Sequence, residues 1–310
     1  MKKVIALSSL FLSILLPLLR TTIQAQEIPD YGHKVHSQSF GQLPVPKTYK
    51  VPENVSIAHY FTFLDSLVQN FNAISNYPIN EHLLVRYNPW IMDTLASTDY
   101  HKMKEKDSFV YDQKKLHVLK KGQILQLPDS SNVKRLEKAY KSTRIAINIP
   151  EFKLRIYQDT VLLYTFPIRV GQNRSKYLAM GDRVTNLRTV HGTGHIVAHV
   201  KNPDYYNPAT GKKYHVTKRD DEKVTRLPQI PWLETEINGI RNGQMIHPTT
   251  NPNTLGKAYS NGCIGTREGD AWIIYYHAPI GTKVHIRYDL IIWDEKGNEI
   301  TLKDIYGYYQ

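Results

Sequence analysis

The twenty residues from His247 to Thr266 read HPTTNPNTLGKAYSNGCIGT and contain the single cysteine of the chain, Cys263. A thiol attacks a carbonyl carbon as the thiolate, and a free cysteine is mostly protonated at neutral pH. A histidine within reach can take the thiol proton and later deliver it to a leaving amine. The stretch therefore indicates Cys263 as a nucleophile with His247 as its base, against the alternative of a buried, inert thiol.

Two glycines flank this cysteine, Gly262 directly before it and Gly265 two residues after it. A glycine lets the backbone bend sharply and point N–H groups at a substrate carbonyl. A thiol buried in a core needs neither glycine. The glycines favour the nucleophile, although residue chemistry alone leaves both readings open.

The stretch is similar to the signature of the L,D-transpeptidase (YkuD-like) family, a histidine followed some fifteen residues later by Ser/Thr-x-Gly-Cys. Fifteen residues separate His247 from Cys263 here. The strands expected at Leu154–Tyr157 and Val161–Val170 resemble the opening strands of that family. The resemblance covers about residues 143–288 and implies a mostly β, β-sandwich-like catalytic domain with one or two short helices.

The resemblance also implies the role of each site residue. Cys263 would be the acylated nucleophile and His247 the base and then the acid. The carbonyl of Pro248 would orient the imidazole, the N–H groups of Gly262 and Cys263 would form the oxyanion hole, and Ser260 would shape the loop. No cofactor is implied.

The implied reaction is acyl transfer on peptidoglycan. The thiolate would attack the third residue of a tetrapeptide stem, release the terminal D-alanine and pass the acyl group to an amine of a neighbouring stem, forming a cell-wall cross-link. A carbapenem is the implied inhibitor. Transfer to water would make the protein an L,D-carboxypeptidase, and loss of activity would leave a cell-wall-binding protein.

Two positions depart from the family pattern. Asn261 stands where the family often has histidine, and Gly265 stands where it commonly has an arginine that helps to hold the substrate. Arg267 is the candidate replacement for that arginine. Trp232 is expected in a loop that covers the cleft. The departure at Gly265 bears on donor specificity and keeps the inactive, cell-wall-binding alternative open.

From Thr143 onward, apolar residues alternate with polar ones, a pattern typical of half-buried strands. Ile145 to Ile149 and Leu162 to Val170 follow it, and a turn at Asp159-Thr160 lies between them. The sequence thus predicts a β-hairpin at the start of a mostly β domain. Further elements are predicted downstream: a helix at Asp270–Tyr276, a strand at Lys283–Tyr288, and a last hairpin of Leu290–Trp293 with Glu299–Leu302.

Upstream of this domain, the spacing of apolar residues from Phe61 to Phe71 predicts a helix. Asn80 to Tyr87 fits a second helix with Asn80 as its N-cap. Residues 119–128, LKKGQILQLP, read as a turn into a short strand. The order resembles a LysM (lysin motif) module, which would bind glycan; the alternative is a family-specific helical region. The predicted organisation is signal peptide 1–25, linker 26–48, N-terminal α+β domain 49–140, catalytic domain 141–289 and C-terminal hairpin 290–310.

The first residues, Met1-Lys2-Lys3, precede an apolar run from Val4 to Leu19. With Ala25 at the end, this pattern predicts a secretory signal peptide. The run is shorter than the ~20 residues of a spanning helix, so we expect cleavage, no stable membrane span afterwards, and a location in the periplasm or cell envelope. An uncleaved anchor is the alternative.

The chain is basic, with 40 Lys and Arg against 28 Asp and Glu, a formal charge of +12. Removal of the signal peptide removes Lys2, Lys3 and Arg20, so 12 − 3 gives +9. This charge favours anionic partners such as cell-wall polymer. The basic residues are scattered along the chain, which argues against nucleic acid.

Two other patterns compete for a functional reading. His191, His195 and His199 recur every four residues, but their neighbours favour a strand, on which residues four apart are ~13 Å apart, too far for one metal ion. We expect these histidines to line the sheet or the cleft. Residues 218–223, KRDDEK, are expected to form a solvated loop.

Overall fold

The computed structural model describes residues 45–309. The predicted signal peptide, its cleavage point and residues 26–44 of the predicted linker lie outside the described residues. None of the helices within residues 45–309 has both the length and the apolar character that a membrane crossing requires.

The described residues form six α-helices and twenty strands. The helices are α1 (Ile57–Ile74), α2 (Glu81–Tyr87), α3 (Trp90–Ala96), α4 (Tyr100–Lys104), α5 (Ser130–Lys141) and α6 (Glu268–His277). The strands are β1 (Thr48–Lys50), β2 (Val55–Ser56), β3 (His117–Leu119), β4 (Ile124–Gln126), β5 (Thr143–Asn148), β6 (Lys153–Gln158), β7 (Val161–Pro167), β8 (Val170–Gly171), β9 (Ser175–Leu178), β10 (Arg183–Asn186), β11 (Gly192–Val200), β12 (Val216–Lys218), β13 (Val224–Arg226), β14 (Trp232–Ile237), β15 (Met245–Pro248), β16 (Ala258–Ser260), β17 (Ile264–Thr266), β18 (Lys283–Arg287), β19 (Ile291–Trp293) and β20 (Glu299–Thr301).

A mixed eight-stranded sheet is the centre of the fold, with the strand order β17-β15-β14-β11-β18-β5-β6-β7. The pairs β15/β17 and β18/β5 are parallel, and the other neighbours are antiparallel. Ile145 and Ile147 of β5 and Ile286 of β18 are buried, as the alternation of apolar residues predicts. The expectation of a mostly β domain from residue 143 onward is confirmed.

Helix α6 joins the sheet to the N-terminal helices through one aromatic core. Trp272 and Tyr276 of α6 are fully buried. The ring of Phe61 lies 6.0 Å from that of Trp272, and the Tyr276 hydroxyl donates to the Tyr60 hydroxyl at 2.8 Å. The helix predicted at 270–276 is confirmed, two residues longer at its start and one at its end. Residues 45–309 belong to one compact unit.

The elements predicted in the N-terminal region are also confirmed. The side chain of Asn80 accepts a hydrogen bond from the Leu83 N–H at 2.9 Å and caps α2, because an N-cap oxygen satisfies one of the free amides of a first turn. Strand β4 ends shortly before Pro128 and pairs antiparallel with β1. The last hairpin, β19 with β20, lies where the sequence predicts it.

The strand predicted over 162–170 is interrupted. β7 ends at Pro167, and the chain continues into β8, which leaves the sheet edge and pairs in parallel with β16. Between them, Arg169 makes two backbone hydrogen bonds with Gly265, at 2.9 and 3.0 Å. Proline lacks the N–H that a continuing strand uses, and these bonds carry the chain across to the cysteine loop.

Candidate active site

The two residues singled out from the sequence are brought together by a pair of parallel strands. His247 lies on β15 directly opposite Gly265 of β17. Cys263 immediately precedes β17. The fifteen residues between them form the connection from β15 to β17. The two residues are distant in sequence and lie on and beside neighbouring strands at one edge of the sheet.

His247 is held in the tautomer that a base requires. Its Nδ1 lies 2.9 Å from the carbonyl oxygen of Pro248. A carbonyl only accepts, so Nδ1 carries the proton and Nε2 keeps a lone pair. Burial and, to a lesser extent, the Arg169 cation lower the pKa of His247 to about 4, against the opposing effect of the bond to Pro248. The imidazole is therefore neutral at neutral pH.

Trp232 lies beside the imidazole, but not on a loop. It is the first residue of β14, which pairs antiparallel with β15, and its ring centroid is 5.0 Å from that of His247. The prediction of a covering loop is wrong because residues 232–237 alternate in burial as a half-buried strand does. Tyr205, from the loop after β11, meets the edge of Trp232 at 5.1 Å.

The cysteine loop is fixed by buried hydrogen bonds. Gly262 has a φ of +106°, a conformation that favours glycine. Its carbonyl accepts from the Thr189 hydroxyl at 2.9 Å, and that hydroxyl accepts from the Gly171 N–H at 2.8 Å. The Ser260 hydroxyl donates to the Cys263 carbonyl at 2.5 Å. Thr189 is fully buried and was not recognised from the sequence.

The thiol of Cys263 is half-buried and protonated in the free protein. Burial raises its pKa, while a backbone hydrogen bond from Met245 and the Arg169 cation lower it. Taken with the low pKa of His247, this makes the resting pair a neutral thiol and a neutral imidazole. Such a thiol needs a base at the moment of attack.

The two amides implied as an oxyanion hole differ in availability. The Gly262 N–H donates to the Ser260 hydroxyl at 3.3 Å. The Cys263 N–H has no acceptor within residues 45–309. Asn261, which precedes Gly262, is exposed. The amide of Cys263 is therefore free to receive a developing oxyanion.

The arginine whose charge lowers the pKa of the thiol is Arg169, not Arg267. Arg267 is exposed and precedes the first turn of α6. A Cβ atom added to Gly265 would lie 2.5 Å from Nε and 2.7 Å from Cγ of Arg169. The space that a side chain at position 265 would need is thus filled by Arg169. The sequence gives no local sign of this, because Arg169 lies 94 residues earlier in the chain, 263 − 169.

The solvated loop predicted at 218–223 is a turn between β12 and β13 in which Lys218, Glu222 and Lys223 are exposed, but Arg219 is not. Arg219 is fully buried and pairs with Glu268 at the start of α6, donates to the Thr225 hydroxyl at 2.8 Å and to the side chain of Gln113 at 3.0 Å. Asp221 accepts from the Tyr100 hydroxyl at 3.0 Å. The prediction fails because the partners of these charges are supplied by α4 and α6, which are distant in sequence.

The repeating histidines are dispersed. His191 precedes β11 and lies 5.6 Å from the ring of Tyr308. His199 stacks on His82 at 5.2 Å, and its Nε2 lies 2.9 Å from the Ala278 carbonyl. A bulge at Ile196–Ala198 breaks the regular spacing. Within residues 45–309, no group of three or more His, Cys, Asp or Glu side chains is placed to hold a metal ion.

Comparison with known proteins gives one family match. Residues 142–286, slightly less than half of the chain, match the family model of YkuD, the L,D-transpeptidase catalytic domain. This interval contains the central sheet and both His247 and Cys263. A comparison with curated protein sequences finds no match.

Three similar solved structures show the range of sequence identity, coverage and TM-score. The L,D-transpeptidase from Mycobacterium smegmatis is 15% identical over 47% of this chain and 58% of its own, with a TM-score of 0.33. L,D-transpeptidase 3 from Mycobacterium tuberculosis, solved with a faropenem-derived adduct, is 17% identical over 47% and 60%, with a TM-score of 0.31. The L,D-transpeptidase from Xylanimonas cellulosilytica is 12% identical over 79% and 100%, with a TM-score of 0.35. The chain covers less than two thirds of the length of the first two.

Proposed function

We propose that the protein is a peptidoglycan L,D-transpeptidase that uses Cys263 as nucleophile and His247 as base. The observation that carries the proposal is the match of residues 142–286 to the L,D-transpeptidase catalytic domain. The placement of His247 and Cys263 on and beside two neighbouring parallel strands supports it.

The first half-reaction forms a thioester. Nε2 of His247 takes the proton of the Cys263 thiol as the sulfur attacks the carbonyl carbon of the third stem residue. The oxyanion is stabilised by the Cys263 N–H. Collapse breaks the bond to the terminal D-alanine, whose amine takes the proton from His247. The Pro248 carbonyl keeps the imidazole oriented and stabilises its transient positive charge.

The second half-reaction releases the enzyme. An amine of a neighbouring stem attacks the thioester carbonyl and gives a proton to His247. The thiolate leaves, His247 returns the proton to sulfur, and a new amide cross-links the two stems. Water in place of the amine gives an L,D-carboxypeptidase with the same thioester, so the fate of that thioester distinguishes the two activities.

The proposal includes where the protein acts. Its substrate is assembled outside the cytoplasm, and the signal-peptide pattern of residues 1–25 supports export to the periplasm or cell envelope. The mass of the mature protein tests the predicted cleavage, and the expected mass is that of a chain starting at Gln26. A mature protein that keeps Met1 to Ala25 would favour the membrane-anchored alternative.

The N-terminal region is proposed to bind glycan as a LysM-like module. Two observations support this: β1 pairs with β4, and the helices α1 and α2 lie between them in the chain. The test is sedimentation of the full-length Cys263→Ala protein with cell-wall glycan freed of stem peptides. Retention by this material is expected. If only stem-bearing walls retain the protein, binding resides in the catalytic cleft and the module is absent.

The experiment that tests the catalytic proposal is intact-protein mass spectrometry with a tetrapeptide stem and, separately, with a carbapenem. With the stem we expect a mass increase equal to the stem minus its released D-alanine, and with the carbapenem an increase equal to the whole reagent, because its lactam ring opens without a leaving group. Addition of a stem amine should convert the stem adduct to free enzyme and cross-linked product. Release by water alone would identify the carboxypeptidase.

Two variants control this measurement. Cys263→Ala should form no adduct, and His247→Gln should form one at least about a hundredfold more slowly, because general-base catalysis is lost. Circular dichroism establishes that each variant is folded. A folded wild type with a titratable thiol but no adduct from either reagent would overturn the enzyme and favour a cell-wall-binding protein.

A further inference from the structure

The guanidinium of Arg169 stands where residue 265 has no side chain. Gly265 and Arg169 are joined by two backbone hydrogen bonds, and the nearest atoms to an added Cβ at Gly265 are the side-chain atoms of Arg169. The contact is close enough that any larger residue at 265 would displace this arginine. The chain thus presents an arginine beside the thiol from β7–β8 rather than from the cysteine loop.

Arg169 is half-buried, and its guanidinium has few hydrogen-bond partners. Its Nη1 donates to the Thr254 hydroxyl at 3.2 Å. Its Nε is buried and has no hydrogen-bond partner. Among residues 45–309, no carboxylate lies within 4.0 Å of its guanidinium; the nearby Asp220 accepts instead from the Asn253 N–H at 2.7 Å. Burial correspondingly lowers the pKa of Arg169.

A half-buried charge without a carboxylate partner costs free energy, because part of its hydration is lost and no ion pair replaces it. The position of Arg169 gives a reason for this cost, because its positive charge lowers the pKa of both Cys263 and His247. A guanidinium is the side chain best suited to hold a carboxylate through two parallel hydrogen bonds. A negatively charged group of the substrate is therefore expected at this point.

We infer that Arg169 binds the terminal carboxylate of the acyl donor, the carboxylate of the residue that leaves. The inference rests on the proposed function. In the donor, the leaving amine nitrogen and this carboxylate are attached to the same carbon. A group that lies beside the imidazole that protonates the amine is therefore also beside the carboxylate. Arg169 makes the site selective for a stem that ends one residue after the scissile bond.

The test compares two donors that differ in one group, a tetrapeptide stem with a free terminal carboxylate and the same stem with a terminal carboxamide. The readout is the ratio of their acylation rates, because any effect of Arg169 on the thiol or the imidazole cancels in that ratio. Wild type should prefer the carboxylate by about tenfold to a hundredfold. Arg169→Met should lose this preference, because it slows the carboxylate donor more than the carboxamide donor.

A second pair of variants keeps the test independent of folding. Gly265→Arg alone should disturb the site, because its side chain meets that of Arg169. The double variant Arg169→Gly/Gly265→Arg should recover part of the carboxylate preference, because the charge returns to the same space. Iodoacetamide, which carries no charge, should alkylate Cys263 in all of them.

The outcomes separate the inference from the proposed function. Equal slowing of both donors by Arg169→Met, or a wild type that does not distinguish them, would overturn the carboxylate contact while the acyl-enzyme stands. A wild type that forms no acyl-enzyme with either donor would overturn the proposed function, and the substrate assigned to Arg169 with it.

Discussion

The surroundings of Arg219 and those of Arg169 differ in how far each guanidinium is neutralised. Arg219 has a buried carboxylate partner in Glu268, hydrogen bonds to Thr225 and Gln113, and the Tyr100 ring 4.5 Å away. Arg169 has one hydroxyl partner and a buried Nε without an acceptor. Both are arginines on the loops and strand ends around the sheet.

The difference separates a structural charge from one available to a ligand. Arg219 donates hydrogen bonds to side chains of the fold and lies over the ring of Tyr100. This residue therefore joins the β12–β13 hairpin to α4 and α6. Arg169 has a donor without a fixed acceptor, and its positive charge lowers the pKa of both Cys263 and His247. Arg219 is fully buried and Arg169 half-buried, and the number of fixed acceptors separates their roles further.

The largest expected effect is on stability. Arg219→Met leaves Glu268 as a buried carboxylate without its cation, and we expect a loss of about 3–5 kcal/mol in the free energy of unfolding. Arg169→Met should stay within about 1 kcal/mol of wild type, because removal of a desolvated cation offsets the lost hydrogen bond. Urea unfolding at equilibrium measures both. Similar losses in the two variants would abolish the contrast.

Two buried threonines extend the comparison, because Thr189 supports the cysteine loop and Thr225 supports Arg219. Thr189→Val removes the hydroxyl that joins Gly262 to Gly171, and Thr225→Val removes an acceptor of Arg219. The change preserves shape in both, so each should cost about 1–3 kcal/mol. Acylation of Cys263 should slow only in Thr189→Val, because the nucleophile loop loses its support.

The measurement is the rate of carbapenem acylation by stopped-flow fluorescence, with unfolding curves recorded on the same samples. Conditions are chosen at which both variants are fully folded. Unchanged acylation in Thr189→Val would mean that the loop is held by its other bonds, including that of Ser260. Slowed acylation in Thr225→Val would mean that the hairpin and the cleft are coupled.

What the sequence predicted was local. The alternation around Ile145 and the cap at Asn80 follow from periodicity and short-range hydrogen bonding, and both are present. The nearness of His247 to Cys263 was inferred from a spacing, which two parallel strands realise. The contact of His247 with Pro248 is also local, because the partner is the next residue.

What the sequence could not predict depends on contacts between distant segments. The burial of Arg219 depends on Glu268, 49 residues later. Trp232 was expected on a loop, whereas the pairing of its strand with β15 places it in the sheet. Arg169 carries no motif of its own, and its place is set by the absence of a side chain at Gly265. Charge patterns alone do not reveal which charge the fold will bury.

The smallest expected effect is on the protonation of His247. Burial is the main cause of its pKa of about 4, and the Arg169 cation is the second. Arg169→Met should therefore raise this pKa while leaving it below the ordinary value of 6.5. The base must be neutral to accept the thiol proton, so the acidic limb of acylation should lie near pH 4 in wild type and at higher pH in the variant.

Nuclear magnetic resonance of the labelled imidazoles follows the pKa directly, and the pH dependence of alkylation by uncharged iodoacetamide follows it through the thiol. Thr225→Val, which leaves Arg169 in place, should keep both at wild-type values. An unmoved limb in Arg169→Met would mean that the cation is screened from the imidazole. Arg169 would then interact with the carboxylate of a bound donor but not with the imidazole, and the role of Arg169 would be confined to binding.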